Sequence, residues 1–148
     1  MTRRGAGAAT VAAAIAIGAG GCGGDDGPSS GEFVSQANTV CKRHYQKISA
    51  AAGKLLAGGK LPSPREFGML AQGTIIPEYT AQIRELREVE PAEDKANAYR
   101  AWLDASEKLR SSLQANPALI QNPRQLAAVN RQADELGLSR ECHVGPGG

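Results

Sequence analysis

The stretch Ser29-Ser30-Gly31-Glu32-Phe33-Val34-Ser35-Gln36-Ala37-Asn38-Thr39-Val40-Cys41-Lys42-Arg43-His44-Tyr45 decides the fold. Ser29 and Glu32 have the spacing of a capping box, in which a hydroxyl and a carboxylate each satisfy a free backbone N–H at a helix start. Apolar or small residues then recur every three to four positions: Phe33/Val34, Ala37, Cys41, His44/Tyr45, Ile48, Ala52 and Leu55/Leu56. That period is one stripe along a long helix, and Gly58-Gly59 ends it.

The rest of the chain repeats the pattern. Ser63-Pro64-Arg65-Glu66 is a second capping box with proline at the first helical position. Its stripe runs through Phe67, Leu70/Ala71, Ile75, Tyr79, Ile83 and Leu86, and Pro77 inside it predicts a kink that frees the Gly73 carbonyl. Pro91 opens a third helix, with Glu93 and Asp94 where the helix dipole favours acids. Its inward residues are Ala96, Tyr99, Trp102/Leu103, Leu109 and Leu113, and Asn116-Pro117 stops it. Asn122-Pro123-Arg124-Gln125 starts a short fourth helix with Leu126, Val129, Ala133 and Leu136 inward. Gly137-Leu138 reads as its Schellman cap. No strand-like alternation competes. These patterns predict an all-α chain, an antiparallel up-down four-helix bundle of three long helices and one short. A stripe buried between two copies is the alternative, but stripes about 100° wide favour a bundle over a coiled-coil seam.

Six aromatic residues among 148 imply a thin core of Ala, Leu and Ile. The N-terminus carries a different signal. Arg3 and Arg4 precede an apolar run from Ala8 to Ala19, and Ala19-Gly20-Gly21 lead into Cys22. The run is too short to span a membrane, which takes about 20 residues, and it divides as a secretory signal does. It resembles a bacterial lipoprotein signal peptide, whose cysteine receives a diacylglycerol and becomes the new N-terminus. Ala19 departs from the Leu usual at that position, so ordinary secretion with cleavage nearby is the other reading. Thr2-Arg3-Arg4 also hints at twin-arginine export, though the apolar residue expected after the pair is missing. The expected organisation is a signal over 1–21, a Gly/Ser/Asp tether over 22–31 and a helical domain over 32–148. The expected location is the extracytoplasmic face of the cell membrane, held by the lipid.

Arg3 and Arg4 are two of the 17 basic residues, and all 15 acids follow Cys22, so the chain from Cys22 onward is formally neutral. It has no basic block, so nucleic-acid binding has no electrostatic footprint. Cys41 and Cys142 are the remaining cysteines. Export places them in an oxidising compartment, where pairing is expected. Heights along the helices agree, because Cys41 lies about 24 Å below the end of the first helix and the fourth helix descends about 20 Å. The alternative is a metal site built from Cys41, His44, Cys142 and His143, although neighbouring Cys142 and His143 suit tetrahedral geometry poorly. His44 alone reads as a partly exposed residue at the edge of the stripe.

The same heights place Pro77, Trp102 and the cysteine pair in one layer. Trp102 either fills the core there, packed on the disulfide, or lines a candidate pocket with His44, Tyr79 and Tyr99. No nucleophile elbow, phosphate loop or metal triad is present, and the charges Arg84, Arg87, Glu88 and Glu90 read as a solvated face. The expectation is therefore no catalytic residue, no cofactor and no metal. The expected role is a structural or protein-interaction module of the cell envelope, with an envelope protein as partner. Binding of a small ligand, metal or haem in a pocket of the bundle is the alternative.

The layout is similar to small uncharacterised lipoproteins of high-GC Gram-positive bacteria. The shared features are the signal ending Gly21-Cys22-Gly23-Gly24, the tether, the opening Glu32-Phe33-Val34-Ser35-Gln36-Ala37-Asn38-Thr39-Val40-Cys41, and Leu136-Gly137-Leu138 followed by Cys142. The resemblance implies an exported helical domain with a paired cysteine, and it implies no catalytic residue.

Overall fold

The computed structural model describes residues 27–59 and 61–145, so Cys22 and the signal lie outside the described residues. The chain is all-α. Helix α1 spans Ser30–Leu56, α2 Pro64–Leu70, α3 Ile76–Leu86, α4 Ala96–Ala115 and α5 Pro123–Leu136. Short 3-10 turns cover Glu93–Lys95, Pro117–Gln121 and Arg140–Cys142. Helix α1 packs on α3, α3 on α4 and α4 on α5, and the turn at Arg140–Cys142 returns to α1.

Local chemistry sets most of the boundaries. Both capping boxes form: Ser29 and Glu32 exchange hydrogen bonds at the start of α1, and Ser63 and Glu66 do so at the start of α2. The Asn122 side chain accepts from the Arg124 N–H to open α5. Gly137 closes α5 at φ +81°, with Leu138 N–H donating to the Ala133 carbonyl and Gly137 N–H to the Asp134 carbonyl. That pair of bonds is a Schellman motif, and its left-handed residue is favourable for glycine.

Two boundaries differ from expectation. Helices α2 and α3 form one run interrupted by a π-helical turn over Ala71–Ile75, in which Ile76 N–H donates to the Ala71 carbonyl five residues back. Pro77 has no N–H and its ring crowds the carbonyl four residues before it. The wider turn accommodates that defect within a continuous helical run. The third predicted helix also begins later than Pro91. Ala92 is extended, at ψ 146°, so Glu93 and Asp94 sit in the 3-10 turn ahead of α4. Asp94 there accepts a hydrogen bond from Ser30 Oγ at 2.9 Å, linking the start of α1 to this turn.

The core runs from Phe33 and Ala37 on α1 through Ile83 and Leu86 on α3 to Tyr99, Trp102 and Leu113 on α4, with Leu126, Ala133 and Leu136 from α5. Phe33 meets Tyr99 edge-on with ring centroids 4.8 Å apart, and Tyr99 lies 5.8 Å from Trp102. Burial follows the expected α1 stripe only as far as His44. Beyond it, Tyr45, Ile48 and Ala52 are half-buried and Leu56 is exposed. The second half of α1 is therefore only partly covered.

Candidate functional site

A cleft of about 320 Å3 opens along that partly covered half of α1. Tyr45, Ile48, Ala52 and Leu56 form one side, Phe67, Leu70 and Ile75 face them from α2 and the π turn, and Ile120 and Val144 complete it. The wall from α2 exists because Pro64–Ile75 returns beside α1. Its last turn is π-helical, a distortion that often accompanies functional sites. The C-terminal wall is held close: Gly145 has φ +99°, and a Cβ there would collide with Leu126. Asn130 fixes the same segment by donating to the Val144 carbonyl and accepting from the Val144 N–H. Leu56, which lines the cleft, and Met69, next to the lining Leu70, are about half exposed, and Leu61 in the loop before α2 is almost fully so.

The structure places the expected site residues as follows. Cys41 and Cys142 form a disulfide with their Cα atoms 4.9 Å apart, and both are buried. The sulfurs are bonded to each other, and among the described residues no group of three or more His, Cys, Asp or Glu side chains could hold a metal ion. Of the four candidate pocket residues, Tyr79 alone lines the cleft. Tyr99 is in the core and donates its hydroxyl to the Leu86 carbonyl at 2.6 Å. Trp102 is 1% exposed, and its indole N–H has no protein partner. Residues Phe67, Leu70 and Ile75 were legible as an inward stripe, but their place beside the second half of α1 was not. Ile120 and Val144 fall in stretches without helical period and left no signal.

His44 is fully buried, not partly exposed, because α3 supplies partners that its own helix cannot show. Its Nδ1 lies 2.6 Å from Glu78 Oε2, and its Nε2 lies 3.3 Å from Glu85 Oε1, within ion-pair range but not aligned for a hydrogen bond. Lys47 donates to Glu78 at 3.0 Å, and Arg43 pairs with Glu85 at 2.8 Å. This polar seam joins α1 to α3. Burial alone would raise the Glu78 carboxyl, but the hydrogen bonds from His44 and Lys47 outweigh it and hold it below the ordinary value of 4.5. Its contribution to stability is therefore complete above that value and is lost as pH falls through the lowered, folded value. Urea midpoints should therefore fall as pH drops through the carboxylate range. Glu78→Gln should make that fall shallower; an unchanged acid profile in the variant would contradict this role.

Tyr79 is the most constrained residue of the cleft. Burial pushes its hydroxyl well above the ordinary tyrosine range; the nearby Ser106 hydroxyl opposes the shift and the Glu107 carboxylate adds to it. Neither the Tyr79 nor the Ser106 oxygen completes a hydrogen bond. A neutral phenol, a buried amide at Gln82 and aliphatic walls equip the cleft to hold an apolar group. Compared with known proteins, the chain matches no family model, no curated protein and no solved structure.

Proposed function

We propose that the chain is a lipid-anchored module on the extracytoplasmic face of the cell membrane, acting by binding rather than by catalysis. The observation that carries this reading is the separation of its two ends. The anchor at Cys22 would reach the body through residues 22–31, at the start of α1. Helix α1 has 27 residues, a length of about 40 Å. The cleft and the exposed Leu56, Leu61 and Met69 lie toward its other end. A body tethered at Ser30 would thus present its apolar end to the envelope, where a protein partner could cover those side chains. Exposed apolar side chains grouped beside a cleft commonly mark such contacts. The buried Cys41–Cys142 bond suits an oxidising compartment. Among the described residues no helix is long and apolar enough to cross a membrane.

Expression of the full chain in a bacterial host with a palmitate analogue tests the anchor. The wild type should carry label and fractionate with membranes, and Cys22→Ser should lose both. Equal label and equal membrane association in the variant would overturn the proposal.

A further inference from the structure

We infer that the cleft between the second half of α1 and the 64–75 segment takes one small aliphatic molecule, or the end of one aliphatic chain, whose head carries no negative charge. The inference rests on the reading of the chain as a binding module but is independent of its anchor. Size narrows the occupant first. A volume of about 320 Å3 is roughly twice that of a cavity that holds benzene. It falls at the low end of small-ligand pockets, about 300–1,000 Å3. A stable protein partner covers about 800 Å2 on each side, so an occupant that fills this concavity is a small molecule.

The walls narrow the chemistry. Ile48, Ala52, Phe67, Leu70, Ile75 and Val144 offer carbon. Among the described residues no lysine or arginine lines the cleft, and the one lining imidazole, His143, already faces the Asp134 carboxylate at 2.8 Å. The one lining carboxylate, Glu141, is held as an anion by hydrogen bonds from the Ser139 side chain and its own backbone, with Lys42 nearby. Its negative charge would repel an anionic head. An anionic head would lose hydration without compensation. Tyr79 and Gln82 also line it; the Tyr79 hydroxyl is enclosed away from solvent and the Gln82 amide donates to Cys41 Sγ at 3.4 Å.

The test uses the full chain carrying Cys22→Ser, which needs no detergent, and the neutral probe N-phenyl-1-naphthylamine. The probe should bind saturably, one per chain. Decanol should displace it at concentrations roughly tenfold lower than decanoate, the discrimination of about one decade that a missing charge partner provides. Ala52→Trp, which fills the cleft, should weaken probe binding by about tenfold or more with helical circular dichroism and the disulfide intact. If that variant fails to fold, Leu56→Glu at the half-exposed rim should give the loss instead. Non-saturable binding, saturable binding that ignores the folded variants, or equal displacement by decanoate would overturn the assignment. A silent probe leaves the lipid label at Cys22 unaffected, and a missing label leaves the probe result unaffected, so the two readings fail separately.

Discussion

Removing the Cys41–Cys142 bond should lower the unfolding free energy by about 4–5 kcal/mol. The bond closes a loop with a sequence separation of 101 residues, and in the chain-entropy model a loop of that length confers about 4.7 kcal/mol by restricting the unfolded chain. Domains of this size are typically stable by only about 5–15 kcal/mol, so the bond supplies a large share. It also ties the segment behind the cleft to α1, because His143, Val144 and Gly145 follow Cys142 directly. Urea unfolding of the oxidised chain, the reduced chain and Cys41→Ala/Cys142→Ala should place the latter two together and far below the first. Coincident midpoints for all three would mean that helix packing alone holds the domain.

Trp102→Ala should cost about 3–5 kcal/mol, the range for large-to-small aromatic changes in a core. Trp102 is among the largest fully buried side chains and sits beside Tyr99 in the aromatic cluster. Its indole N–H is buried without a protein partner, a defect that removes part of what its packing contributes. Trp102→Phe keeps much of the packing and removes the unpaired donor, so it should cost less than half as much as the alanine variant. Because Trp102 is the only tryptophan, its emission reports this site alone and should be blue-shifted in the native chain. Water-like emission, or equal losses for the two variants, would contradict its placement in the core.

Helix ends were legible because they are set by near neighbours in sequence. Ser29 with Glu32, Ser63 with Glu66, Asn122 before Pro123, and Gly137 before Leu138 each act within a few residues, and each forms as read. The all-α class followed from the same stripes. Features that depend on which helix lies opposite were not legible. His44 looked like a stripe-edge residue because the carboxylates that let it be buried, Glu78 and Glu85, lie 34 and more positions away on α3. Pro77 announced a defect, but the choice between a kink and a π turn depends on the packing of both flanking helices. The cleft draws on Phe67, Ile120 and Val144 from separate segments, so no local pattern marks it. The aromatic residues that suggested a pocket, Tyr99 and Trp102, lie instead among the buried core side chains.

Intact mass spectrometry of the native chain, extracted from membranes and kept unreduced, tests the central claim most directly. The account predicts a polypeptide that begins at Cys22, carries a diacylglycerol on that residue and contains no alkylatable thiol. A chain that begins at another residue, or that begins at Cys22 without lipid, would contradict the account.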